Sequence, residues 1–319
     1  MDAVPRVLCR VRCQATALHR RLCVGKVPMH PIGDDRIYDE LRTCTAELAE
    51  IVSGDLERPV PTCPEWTFRQ LATHVGRGHR WAAEIVATRA AQAIPWRQVP
   101  DGKLPDDPAR QVEWLSAAAA RVIAAVTAAG GDLVWTFFGT GPAGFWARRR
   151  AHEVAVHLAD AQLATGRDVN LAAGLAADGI DEWLGLIAAG TERTTEPARA
   201  RSQQLRGDGH TLHFHSSDDG LDGAGEWLVR RTPSRITVEP GHARARPHAV
   251  LRHQSKSASL TTRHERMMRR DCKSSMLTLL SLNHTLPQFV RQVNKGYAVP
   301  DSASETPGFE QKAERTQRS

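Results

Sequence analysis

Arg148-Arg149-Arg150-Ala151-His152-Glu153-Val154-Ala155-Val156-His157-Leu158-Ala159-Asp160 forms the middle of a helix that starts near Gly144 and ends by Gly166. On an α-helix each residue advances about 100°. His152 and His157, five positions apart, therefore point about 140° away from each other and do not readily share one ligand. Glu153 and His157, four positions apart, lie about 40° apart around the axis and about 6 Å along it. A carboxylate and an imidazole on one face supply two ligands for a metal ion. A zinc site that works on a substrate needs a third protein ligand and an open position. That ligand must come from another helix.

Three helices precede this one. The first runs from Asp34 or Asp35 to about Gly54, with Ile37, Leu41, Cys44, Leu48 and Ile51 as its apolar stripe. The second follows the loop Pro59-Val60-Pro61-Thr62-Cys63-Pro64; Thr67 and Gln70 form a capping box, and the helix continues through His74 toward Arg89. The third opens on Asp107-Pro108, an N-cap followed by proline in the first turn, carries Trp114, Leu115, Val122 and Ile123, and stops at Gly130-Gly131. A loop with Trp135, Phe137 and Phe138 leads into the fourth helix. Four such helices joined by moderate loops predict an antiparallel bundle. The second helix offers His74 and His79 as a third ligand. His74 sits among Leu71, Ala72, Val75 and Gly76, an inward-facing setting, but spacing alone leaves both open. Two histidines and a carboxylate suit Zn²⁺ and other first-row divalent ions.

A further helical stretch covers about 171–189. The pattern then alternates like strands in Thr211-Leu212-His213-Phe214-His215, Glu226-Trp227-Leu228-Val229-Arg230 and Arg235-Ile236-Thr237-Val238-Glu239. His213 and His215, at alternate positions, fit an exposed face. Beyond Gly241 no periodic strand or helix completes the unit. The expected organisation is mainly α: a basic, disordered N-terminal extension over 1–30, a metal-binding bundle over 31–190, the start of a small, incomplete α/β domain over 191–241, and an irregular or disordered basic tail over 242–319.

Charge follows these divisions. The net +6 resolves into +5 over residues 1–30, −7 over 31–241 and +8 over 242–319. A nucleic-acid reading thus applies to the tails alone, and they lack interleaved aromatics. No run reaches the ~18 apolar residues of a membrane span. Cys9, Cys13, Cys23, Cys44, Cys63 and Cys272 form no CxxC pair, and the N-terminus has no clean secretory signal. Reduced thiols in a cytoplasm are expected, and Met29 is a plausible alternative start.

The segment Val60-Pro61-Thr62-Cys63-Pro64-Glu65-Trp66-Thr67-Phe68-Arg69-Gln70-Leu71-Ala72-Thr73-His74-Val75-Gly76 resembles a signature of the mycothiol-dependent maleylpyruvate isomerase family. Ala151-His152-Glu153-Val154-Ala155-Val156-His157 resembles its second signature, and Leu212–Arg230 is similar to the start of its C-terminal domain. The resemblance implies a DinB-like four-helix bundle with a metal held by His74, Glu153 and His157, thereby selecting His74 over His79. It implies mycothiol, an actinobacterial thiol, as cosubstrate, and isomerisation of maleylpyruvate to fumarylpyruvate or a related thiol transfer. On that reading Arg149, Arg150 or Arg230 would bind the carboxylates of a small unsaturated acid, and Asp160 would orient His157. Position 158 is Leu where many relatives have a basic residue, and the C-terminal domain is incomplete. A divalent-metal-binding bundle without catalysis, acting as a binding or regulatory module, is the alternative.

Overall fold

Local capping chemistry sets where two helices of the computed structural model begin. The residues described are 32–190, 205–216, 218, 220–221, 225–241 and 249–253. Helix α1 (Asp34–Val52) opens on two acids that complement its dipole and buries Ile37, Leu41, Cys44, Leu48 and Ile51. Helix α2 (Phe68–Ala87) starts at the expected box, with the Thr67 N–H donating to Gln70 Oε1 at 2.9 Å. Helix α3 (Pro108–Ala129) starts where Asp107 Oδ1 accepts from the Ala109 N–H at 3.0 Å, and ends at Gly130, whose φ is +54°. Helix α4 spans Gly144–Ala164 and α5 spans Ala173–Gly190.

Helices α1–α4 share one hydrophobic core, with α2 chiefly against α3 and α1 chiefly against α4. Two glycines permit the close approaches of α2. A Cβ on Gly76 would lie 2.0 Å from the Trp114 ring, and one on Gly78 would lie 2.6 Å from the Arg150 guanidinium. The alanine-rich α3 has the length and composition of a membrane span, which the sequence reading did not anticipate. Its Trp114, Leu115, Val122 and Val126 are buried in the shared core instead.

The segment read as a loop after α3 is a hairpin of β1 (Leu133–Thr136) and β2 (Gly139–Pro142). Its strands are four residues each, too short for alternation to register. Long-range packing fixes it: Trp146 Nε1 donates to the Trp135 carbonyl at 2.8 Å, and Trp81, Trp135, Phe137 and Trp146 cluster edge to face.

After α5, β3 (Thr211–Ser216), β4 (Glu226–Arg231) and β5 (Ile236–Pro240) form an antiparallel meander. A fourth strand, β6 (Ala249–His253), lies parallel to β3, giving the order β5-β4-β3-β6. This strand falls inside 242–319, where the sequence showed none; the meander supplies the edge that recruits it. Residues 1–30 and the rest of that tail lie outside the described residues. Leu184 and Ile187 of α5 and Leu212, Phe214, Val229 and Ile236 of the sheet line a small apolar space between them. His213 is buried rather than exposed, its Nε2 lying 3.0 Å from Glu226 Oε2.

Candidate metal centre

Helices α2 and α4 bring His74, Glu153 and His157 together, with one ligand atom from each lying within 4.8 Å of the others. Glu153 Oε1 is the shared point, 3.1 Å from His74 Nε2 and 3.6 Å from His157 Nε2. Ligand atoms at Zn–N and Zn–O lengths of about 2.0–2.1 Å with tetrahedral angles would stand about 3.3 Å apart. The spacing therefore fits a small divalent ion, and the donor set fits as well. Burial, opposed by the bond to Glu153, holds the His74 imidazole below its ordinary pKa, so its lone pair is available at neutral pH. Burial pushes the Glu153 carboxyl up, but Arg149, His157 and His74 outweigh it and hold it well below the usual carboxylate range. Burial likewise disfavours the His157 cation, yet the bonds to Asp160 and Glu153 prevail and raise it to about 9, so an ion held here would have to displace the His157 Nε2 proton.

Asp160 fixes the His157 ring. Its Oδ2 lies 2.9 Å from His157 Nδ1, which leaves Nε2 facing Glu153. The two carboxylate oxygens also meet the loop ahead of α2: Thr62 Oγ1 donates to Oδ1 at 2.6 Å, and Cys63 Sγ lies 3.8 Å from Oδ2. That loop closes on itself through Val60 N–H to the Trp66 carbonyl at 2.9 Å and a bridge between Pro59 and Thr67. Closure sets the Trp66 ring 5.0 Å from His74 and 5.8 Å from His157, an apolar wall beside the two imidazoles. The open side is at His74, whose side chain is 37% exposed, while that of His157 is 6% exposed. Cys63 is no ready nucleophile, because burial and then Asp160 push its thiol up to about 11.

The neighbouring histidines take other partners. His79 is fully buried, with Nδ1 accepting from Arg150 Nε at 3.0 Å and Nε2 3.2 Å from Thr45 Oγ1. Being five residues after His74, it lies about 140° around α2. His152 turns to α5, with Nε2 2.7 Å from Asp178 Oδ2.

The arginines expected to bind substrate carboxylates are placed differently. Arg149 is buried and bonds Glu153 Oε2 at 2.5 Å and Glu182 Oε2 from α5. Burial opposes its charge, but Glu182 and Glu153 outweigh that and raise its pKa. Arg150 is also buried, and its guanidinium donates to His79 and, at 3.2 Å, to the Val75 carbonyl. The donors of these two arginines face interior acceptors on α2, α4 and α5. Arg230 is exposed on β4. Sequence reasoning missed the supporting roles of Thr62, Cys63, Trp66, Arg149 and Glu182. The first three stand in the very motif that marked His74, but nothing local reveals that they lean on Asp160 and the histidines.

No curated protein and no solved structure matches the chain. Residues 37–162, which contain His74, Glu153 and His157, match the family model of the mycothiol maleylpyruvate isomerase N-terminal domain, so this segment is similar to that family.

Proposed function

We propose that the chain is a metal-dependent enzyme of maleylpyruvate isomerase type, an isomerase or thiol transferase that joins a mycothiol-like thiol to a small unsaturated acid. On this reading α1–α4 are a DinB-like antiparallel four-helix bundle over 31–190, followed by a small α/β unit. The observation that carries the reading is the convergence of His74, Glu153 and His157, drawn from two helices, on one point. A divalent ion there, zinc first by its ligand set, would act as a Lewis acid that lowers the pKa of a thiol. The protein's own groups do the rest. Asp160 holds the ring of His157, Arg149 holds the carboxylate of Glu153, and Trp66 screens one side from water. The exposed edge of His74 is the entry side for thiol and acid.

A second reading, a metal-binding module without catalysis, is favoured by one finding: Arg149 and Arg150 are engaged in the interior, so neither offers free donors to a dicarboxylate. One experiment separates the two. Metal content and thiol-dependent isomerisation are measured for the full chain and for His74→Ala, Glu153→Ala and His157→Ala. Stoichiometric metal with turnover that each substitution abolishes supports the enzyme. Metal without turnover with any small thiol leaves the module, and wild-type protein without metal overturns both.

A further inference from the structure

We infer that Glu182 of α5 is a positioning residue for the metal centre, acting through Arg149 on the carboxylate of Glu153; the inference rests on the metal-centre reading above. The two oxygens of Glu153 have separate tasks. Oε1 faces His74 and His157, while Oε2 takes the Arg149 Nη2 donor at 2.5 Å. With the guanidinium on the second oxygen, Oε1 is the Glu153 oxygen that would be left to hold an ion.

Arg149 cannot enforce this alone. It sits one turn before Glu153 on the same helix, and its long side chain has other rotamers. Its second donor, Nη1, is held by Glu182 Oε2 from a different helix. The clamp is dry, with Arg149 at 8% exposure and Glu182 at 3%. Arg149 is the sole hydrogen-bonding partner of the Glu182 carboxylate among the described residues, and Glu182 Oε1 is buried without one. The charge of Glu182 also reaches Arg148 and Arg150, but its hydrogen bond goes to Arg149, the one of the three that holds Glu153.

The same α4–α5 interface contains a built-in comparison. Arg148 donates to Asp178 at 2.8 Å and to Asp181 at 3.1 Å, and Asp181 in turn accepts from Trp227 Nε1 at 3.2 Å. Asp178 and Asp181 are as buried as Glu182 but touch none of the three candidate ligands. If α5 served the centre only by packing, both sets of pairs would matter alike. If Glu182 positions Glu153, only its own substitution reaches the ion.

The test uses the full chain, Co²⁺ as probe, and two readouts besides activity: the dissociation constant by calorimetry and the visible absorption of bound Co²⁺. Glu182→Leu is expected to weaken Co²⁺ binding about 10- to 100-fold, the range for losing a group that orients a ligand, and to alter the band shape. Glu182→Gln, which keeps an acceptor for Arg149, recovers part of the loss and serves alone if the leucine variant does not fold. Asp178→Asn lowers thermal stability and leaves Co²⁺ affinity and spectrum as in wild type. Glu182 variants with wild-type affinity and spectrum overturn the positioning role and leave the metal centre standing. So does Asp178→Asn weakening Co²⁺ as much as Glu182→Leu. Wild type that takes up no Co²⁺ overturns the centre and the inference together.

Discussion

Substituting Gly76 by alanine tests how tightly the helix that carries His74 is seated. The added Cβ would stand 2.0 Å from Trp114 Cζ3, 2.4 Å from Cη2 and 2.8 Å from Cε3. Ordinary carbon contacts are about 3.5–4.0 Å, so helix or ring must move by more than an ångström. The ring is not free to yield: Trp114 is 5% exposed, its Nε1 donates to the Asp101 carbonyl at 3.0 Å, and the Arg80 guanidinium lies 4.1 Å over it. Overpacking of this kind costs about 1–3 kcal/mol, and losing the Trp114 hydrogen bond adds about 1 kcal/mol. Replacing glycine by alanine inside a helix returns about 1 kcal/mol. The net expectation is a loss of about 1–3 kcal/mol, at roughly 2–4 °C in Tm per kcal/mol for a domain of this size. Urea unfolding measures it, and a Trp114→Leu background supplies the control. With the far edge of the indole gone, Gly76→Ala should change sign and stabilise by up to about 1 kcal/mol. If Gly76→Ala stabilises the wild-type chain, or costs the same in both backgrounds, the close packing of α2 on α3 has been misread.

Other expectations follow from the same side chains. Asp160→Asn should weaken divalent-metal binding by about 10- to 100-fold by calorimetry, because the amide no longer holds His157 by a charged acceptor. Burial and neighbouring carboxylates push the Cys44 thiol up to about 12, and burial with Asp160 pushes Cys63 up to about 11. Peptide-level mass spectrometry after alkylation of the folded chain at pH 8 should find both labelled far more slowly than after denaturation. Burial raises the Asp178 carboxyl, but His152 and Arg148 outweigh it and hold it below the usual range. A depressed folded-state pKa contributes stability that is present above the unfolded value of about 3.9 and is lost as pH falls through the folded value. The stability gap between wild type and Asp178→Asn should therefore be full at neutral pH, of the order of 3–5 kcal/mol for breaking a buried pair. It should shrink below about pH 4, as read by urea unfolding across pH.

The Thr67–Gln70 box and Asp107-Pro108 start two helices through bonds within one turn, and Gly130 ends the second of them, and so the sequence alone located them. The pairing of Glu153 with His157 and the exclusion of His152 follow from the helical repeat, which is equally local. The loop motif marked His74 by likeness, since periodicity gave no reason to set aside His79. Tertiary structure decided what depends on side chains meeting across long separations. It turned His79 into a partner of Thr45 and Arg150, and it gave Arg149 to Glu153 and Glu182. It also leaned Thr62 and Cys63 on Asp160 and set β6 beside β3. A run of three arginines looks like a solvated face or an anion site when read along the chain. Only the packing of α5 against α4 shows that desolvated carboxylates already hold two of the three, because burial and charge pairing are properties of the assembled helices rather than of any one segment.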